Sequence, residues 1–284
     1  MKSSLLLSVV VTTYNRSDAL LAVLDGLSQQ SDKNFEVVVA DDGSRPEHVH
    51  AIAQSKAAKD LRVIHVWHPD VGFTLTRIRN RGVGASSGEY LVFLDGDCVP
   101  ETDFVAQHRL LAQSGYFVSG SRVLLSQKLS LRVTGSREQI TGRSAWYWVL
   151  QRIAGHANKL TGLVRLPDWH GRLDGGVPWT RVRGCNMAFW RDDFNAVDGF
   201  DESFVGWGHE DADFVMRLSH AGVKRKNGFC ATEVFHLWHK EAVRQHASQN
   251  AAVVQERSHT DITLPTLGYS RHRLNDDAVI TRLG

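Results

Sequence analysis

The chain is poor in cysteine: its 284 residues include only Cys98, Cys185 and Cys230. An odd, scattered trio cannot build a disulfide framework and has no zinc-ligand spacing, so a reducing compartment is expected. Long hydrophobic runs are also missing. The N-terminal "SSLLLSVVV" is far too short to span a membrane. Thr12, Thr13, Tyr14 and Asn15 follow it where a leader would carry a small-residue cleavage site. It reads as a buried strand, and the protein as cytoplasmic with no transmembrane helix. Neither charge sign dominates: a net charge of +2 gives no general reason to bind nucleic acid. There is no G-x-x-x-x-G-K-S/T, which excludes a Walker phosphate loop, and no G-x-G-x-x-G, which excludes the dinucleotide fingerprint. Internal repeats and low-complexity blocks are absent as well.

What is there is ordinary for a globular domain: 42% hydrophobic and 23% charged residues, on a chain long enough for a sizeable core. Residues 5–11 form a β-branched apolar run, as in a strand covered on both faces. "NRSDALLAVLDGLSQQ" has Leu20, Val23, Leu24 and Leu27 at helical spacing, with Ser17 or Asp18 as a cap. "FEVVVADDGS" is a second strand, followed by a helix near 47–58, the strand "RVIHVW", a helix near 75–86 and the strand "EYLVFLDGD". Alternating strands and helices predict an α/β fold with a mostly parallel sheet flanked by helices. Polar clusters follow three of the strands, at Thr12–Arg16, Asp41–Ser44 and Asp95–Asp97. Ligands bind at the carboxyl ends of such strands, so all three clusters point at one crevice.

Residues 121–183 differ, with eleven Lys/Arg against three Asp/Glu, a net of +8, and with "SAWYWVLQRIAG", Trp169 and Trp179. The plain reading is a helical insertion whose aromatics are core and whose basic residues face water. The functional reading is a surface for an anionic acceptor or membrane headgroups. Beyond it, "RVRGCNMAFWR" alternates like a strand, "FDESFVGWGHEDADFVMRLSHAG" ends in a helix closed by Gly222, and "ATEVFHLWH" reads as a further strand. From about 241 the chain is polar and weakly patterned, as for one helix and a loosely ordered end. The division expected is 1–120, 121–181, 182–240 and a tail over 241–284, within one structural domain.

In "LVFLDGDCVP" Asp95 and Asp97 are two apart at a strand end and can point the same way. Such a pair is commonly a surface turn. Beyond a parallel strand it suits a divalent cation that a diphosphate would share, with Gly96 admitting a close backbone approach. Asp41 and Asp42 form either an Asx turn with Gly43 and Ser44 or a ligand for a base or ribose. "VTTYNR" offers free amides and Arg16 at a strand-to-helix turn, suiting a nucleotide.

Together, "VVVTTYNRSDALLAVLDGLSQQ", "FEVVVADDGS" and "GFTLTRIRNRGVGASSGEYLVFLDGDCVP" resemble the nucleotide-sugar half of family 2 glycosyltransferases of the GT-A fold, over roughly residues 4–100. The resemblance implies a Rossmann-like nucleotide half, a mixed acceptor half, and roles for particular residues. Thr12, Tyr14 and Arg16 line the nucleotide pocket. Asp41 binds the base, uracil in the first instance, with help from Arg79. Asp95 contacts ribose or sugar, and Asp97 ligates Mn²⁺ or Mg²⁺. "RGCNMAFWR" and "GFDESFVGWGHEDADFVMRL" resemble the acceptor half of chondroitin-polymerase-like transferases and the Trp-Gly-x-Glu-Asp pattern of galactosyltransferases. Here that resemblance implies Asp211 as catalytic base, Glu210 on the acceptor hydroxyl, and Trp207, Gly208 and Asn186 at the sugars. His209 stands where the pattern often has glycine. Acidic residues in a helix's first turn also serve the macrodipole, worth roughly 0.3–1 kcal/mol, so capping and catalysis can coexist. Asp213 is expected to be structural. In "EVFHLWH" the resemblance makes His236 a metal ligand with His239 in reserve. On a strand the two would face opposite ways, so at most one should reach the site.

The activity implied is metal-dependent transfer from a nucleotide-sugar, a UDP-sugar by preference, to an oligosaccharide or lipid-linked saccharide in bacterial surface-glycan synthesis (lipopolysaccharide or capsule), with inversion. The 121–183 segment would rest on the inner face of the cytoplasmic membrane. A retaining transferase is the nearest rival. A sugar nucleotidyltransferase would need a glycine-rich phosphate loop that "VTTYNR" is not. A non-catalytic nucleotide- or carbohydrate-binding module would lack the acidic set.

Overall fold

The structure, a computed structural model, describes residues 4–174, 182, 184–204, 206–240, 247–272 and 277–283. Trp179 and the arginines at 181 and 183 lie outside the described residues. In chain order the strands are β1 (Leu7–Thr13), β2 (Phe35–Asp41), β3 (Val63–Trp67), β4 (Tyr90–Asp95), β5 (Cys98–Pro100), β6 (Tyr116–Ser119), β7 (Ser121–Leu124), β8 (Leu173–Asp174), β9 (Asn186–Trp190), β10 (Lys224–Asn227), β11 (Glu233–His236) and β12 (Val279–Leu283). The α-helices are α1 (Ser17–Ser28), α2 (Pro46–Gln54), α3 (Lys56–Asp60), α4 (Leu75–Ala85), α5 (Phe104–Leu111), α6 (Gln127–Gly135), α7 (Ala145–Ile153), α8 (Arg191–Ala196), α9 (Glu210–His220) and α10 (Ala247–Arg257).

The apolar run of β1 is explained by its place in the sheet. It pairs in parallel with β2 on one side and β4 on the other, and every residue of it is buried. Val9 and Val11 join the core that α1 covers, and Val10 joins the core under α4 and α9 on the opposite face. Among the described residues the main sheet runs β12-β3-β2-β1-β4-β9-β6-β10-β8. The first four strands in sequence are parallel, and β9 inserts antiparallel between β4 and β6. The architecture is the expected GT-A α/β fold.

A second, three-stranded sheet of β5, β11 and β7 decides where the site lies. Its antiparallel pair sets His236 opposite Cys98, so the residue before β5, Asp97, meets the end of β11. β7 lies in the basic segment and pairs in parallel with β11, so that segment helps build the site as well as carrying helices. Trp148 of α7 is core, stacked on Phe235 of β11 at 3.9 Å between ring centroids.

Two local expectations change. Neither Ser17 nor Asp18 caps α1: Arg16 holds the N-cap position and ion-pairs with Asp18 at 2.9 Å. The described residues of the tail form a docked helix and an edge strand. α10 packs against α9, and β12 adds an antiparallel edge strand to β3. Arg257, closing α10, bridges buried Asp213 and Asp201 at 2.7 and 2.8 Å. Asp213 also pairs with Arg217 at 2.8 Å, and is structural as expected.

Candidate active site

The polar ends of β1, β2 and β4 open into a cavity of about 990 Å³. Strand register builds its floor: Thr12 lies beside Asp95, and the Thr12 hydroxyl donates to the Asp95 carboxylate at 3.2 Å. The Gly96 amide donates to the Thr12 carbonyl at 2.8 Å. A Cβ at Gly96 would stand 2.5 Å from that same oxygen, so this glycine serves the β1–β4 junction rather than a ligand. Thr12, Tyr14, Arg16, Asp95 and Asp97 all face the cavity, as does Trp207. Phe73 and Leu75 line its other wall beside Tyr14.

Asp41 is not on that wall. It is fully buried, accepting from the Ser44 amide at 2.8 Å and meeting His65 at 3.0 Å. β-strand alternation turns it under the sheet, and its neighbour Asp42 faces the cavity instead. Asp42 is held by His68 at 2.7 Å and by the Thr74 amide at 2.9 Å. Arg79 is likewise no partner of a base at Asp41. It is buried beneath the site, donating to Asp95 at 3.2 Å and standing 3.7 Å from Glu210. The Phe93 and Phe200 rings flank it. Arg79 thus ties Asp95 to Glu210 at the start of α9. Asn186 is also spoken for. Its amide donates to the Ser121 and Thr232 carbonyls, its oxygen meets His108 at 3.2 Å, and it is buried away from the cavity.

At the other end, His236 and His239 both converge on Asp97. Their Nε2 atoms lie 3.7 and 3.3 Å from its two oxygens. Strand alternation does not separate them, because β11 ends at His236. The Leu237 amide then bonds to the Asp97 carbonyl and the Trp238 amide to Ser130 Oγ, bending the chain back. Burial pushes the Asp97 carboxyl up against the pull of His236, and burial holds His236 down as a neutral imidazole. A carboxylate aimed at two imidazoles fits a divalent cation. Cys98 also lies within reach of Asp97 and His236. Burial and the neighbouring Cys185 push its thiol well up.

The Trp207 loop has an unusual backbone. Gly206, Gly208 and His209 all have positive φ, at 75°, 112° and 71°. His209 therefore takes, at the N-cap of α9, the left-handed conformation that a glycine would adopt more easily. The turn aims the first acidic residues of α9 inward. Glu210 is buried and accepts from the Gly208 amide at 3.0 Å. Burial, then the Asp211 charge, push its carboxyl up to about 7, against the pull of Arg79. Asp211 is half-buried and accepts from the Gly184 amide at 2.7 Å. Neither lines the cavity, where Trp207 alone represents the motif.

Sequence reasoning passed over Trp238. It lines the cavity beside His236 and is 44% exposed, much like Trp207 at 39%. The cavity therefore has an exposed indole from each of two loops. The signal was present as an apolar residue between two histidines, but a strand reading leaves no reason to expose it.

Comparisons with known proteins agree with this geometry. The family described as glycosyl transferase family 2 matches residues 8–168, and the N-terminal domain of galactosyltransferase matches residues 170–240. The chondroitin synthase of Pasteurella multocida is 30% identical over 239 residues, which is 76% of this chain but 23% of that protein. Validoxylamine A glucosyltransferase of Streptomyces hygroscopicus subsp. jinggangensis is 30% identical over 228 residues, 77% of this chain and 52% of that protein. The chain thus spans about half or less of these relatives' length. Among solved structures, the mannosyltransferase PcManGT from Pyrobaculum calidifontis in complex with GDP-Man and Mn²⁺ superposes with a TM-score of 0.54. It has 20% identity and covers 83% of this chain and 58% of that one. The TarS protein of S. aureus gives 0.56 at 14% identity, covering 88% of this chain and 39% of that one. Fold, acidic crevice and family matches together identify the chain as a member of glycosyltransferase family 2.

Proposed function

We propose that this chain transfers a sugar from a nucleotide-sugar, of the UDP type, to a saccharide hydroxyl, with inversion at the anomeric carbon and with help from a divalent cation. The observation that carries the reading is one cavity lined both by Asp95, Asp97, His236 and His239 and by Tyr14, Asp42 and Phe73. The first set suits a diphosphate, and the aromatic rings of the second suit a base. Asp97, His236 and His239 would hold the cation, and two imidazoles in the set favour Mn²⁺ over Mg²⁺. The neighbour solved with GDP-Man and Mn²⁺ lends support to a cation in this fold. When bound, the cation supplies Lewis-acid neutralisation of the departing diphosphate.

The remaining steps belong to the protein. Thr12 and Arg79 fix Asp95, so its carboxylate meets the donor in one orientation. Trp207 and Trp238 offer apolar faces for the C–H groups of donor and acceptor rings. Asp211 takes the proton from the attacking acceptor hydroxyl, and Glu210 orients that hydroxyl. Gly206 and Gly208 give the Trp207 loop the backbone freedom to close over the donor, excluding water as it does so. The acceptor is an oligosaccharide or a lipid-linked saccharide of a bacterial surface glycan, a role in keeping with polysaccharide synthases among the relatives.

The test pairs two variants. Asp211→Asn should keep nucleotide binding and lose at least about a hundredfold in transfer, as loss of a general base does. Trp238→Ala should raise the acceptor KM with little change in donor affinity. Transfer by Asp211→Asn at the wild-type rate would refute the assignment of the base.

A further inference from the structure

The basic segment contains a helix that is apolar on the wrong side. α7 buries Trp148 inward against Phe235. Trp146, Leu150 and Ile153, at i, i+4 and i+7, share the opposite face. They are 69%, 48% and 77% exposed. Single exposed apolar residues are ordinary, but a surface helix should turn polar residues to water, and a contiguous stripe marks a contact site. Cations frame the stripe: Arg143 precedes the helix, Arg152 lies in its last turn, and both are exposed. The nearby acid, Glu138, is already engaged by Arg132 at 2.6 Å and by the Tyr147 hydroxyl at 2.8 Å.

We propose that α7 docks in the interface of an anionic lipid membrane, with Trp146, Leu150 and Ile153 among the upper acyl chains and Arg143 and Arg152 at the headgroup phosphates. The combination of an indole, aliphatic side chains and flanking arginines on one short helix is what an in-plane interfacial anchor needs. The charge argues against a second copy of this chain as the occupant, since a two-fold contact would set the same positive face against itself. With nine residues α7 can lie on a membrane, and no helix among the described residues is long and apolar enough to cross one.

The helix is also placed to matter. The chain leaving α7 pairs back onto the cavity wall: the Leu124 amide donates to Asn158 at 2.8 Å and the Ser126 amide to the His156 carbonyl at 3.0 Å. Leu124 and Leu125 line the cavity near Trp238. A membrane under α7 would hold a lipid-borne acceptor beside the His236 end. The docking itself does not depend on the sugar or nucleotide assignments.

The experiment is co-sedimentation of the full chain with vesicles of phosphatidylglycerol and phosphatidylcholine in equal parts, and with phosphatidylcholine alone. The wild type should bind the anionic vesicles at least about tenfold more tightly, and high salt should weaken that binding. Trp146→Ser/Leu150→Ser/Ile153→Ser should lose binding by roughly tenfold or more. Arg143→Gln/Arg152→Gln should lose the preference for anionic vesicles. All five positions are outside the cavity, so UDP binding should stay unchanged in both variants, which also reports that they fold. Leu150→Ala alone provides a milder variant should the triple one misfold. Equal binding to both vesicle types, no binding to either, or full binding by the folded triple variant would overturn the proposal. So would a wild-type dimer in sedimentation that the triple variant abolishes while vesicle binding persists.

Discussion

Replacing Arg257 by Met should destabilise the protein although the residue is about 40 positions from the acidic end of α9 in sequence. Arg257 reaches two aspartates with no exposed side-chain surface, Asp213 at 2.7 Å and Asp201 at 2.8 Å. Removing one partner of a buried pair costs about 3–5 kcal/mol when the other charge is left uncompensated. Here compensation is partial. Asp213 keeps Arg217, and Asp201 keeps the amides of Ser203, Thr266 and Leu267. Those bonds, with Arg257, more than offset the burial that pushes Asp201 up. The loss should therefore fall near 2–3 kcal/mol, or roughly 3–5 °C in Tm for a chain of this size. Methionine keeps most of the side-chain bulk beside Phe204, so the change reads charge rather than packing. Urea unfolding followed by circular dichroism measures it, with Arg45→Met as the reference. Arg45 pairs with Glu47 in full solvent and should cost under about 0.5 kcal/mol. Equal midpoints for the two variants would refute the view that α10 anchors the helix carrying Glu210 and Asp211.

Two further predictions concern carboxylates. Asp42→Ala should weaken UDP binding about tenfold or more, while Asp41→Ala should leave it nearly unchanged; both should destabilise, because each strips a buried histidine and a backbone amide of their partner; the opposite pattern in the titrations would return the base to Asp41. For Glu210 the folded pKa of about 7 lies above the ordinary glutamate value of 4.5, so stability is lost as pH rises between those values and stays lost above them. Glu210→Gln should match the wild type near pH 4 and exceed it by up to about 3 kcal/mol at pH 8, read from urea midpoints.

The nucleotide half was legible because its signals are local. Doubly covered parallel strands leave unbroken apolar runs, as in β1 and β2, and polar residues collect where those runs stop. The errors came where a neighbour distant in sequence decides. Which of Asp41 and Asp42 faces the cavity depends on the phase of β2 relative to its end, on His65 in the next strand and on His68 just after it. The paired reach of His236 and His239 depends on β11 stopping at His236, which the Asp97 carbonyl and Ser130 impose from elsewhere. Asn186 looked like a free amide until β7 and the Thr232 turn claimed it. β12 has no buried face, so its sequence carries no alternation; it exists because β3 offers an unpaired edge.

The central claim is that Asp97 and its two histidines form a cation-dependent nucleotide-sugar site. The most direct measurement is calorimetric titration of UDP into the protein with Mn²⁺, then with excess chelator, then on Asp97→Ala. The account predicts binding in the first case and its loss, by about a hundredfold or more, in the other two. UDP binding of equal strength in all three would contradict it.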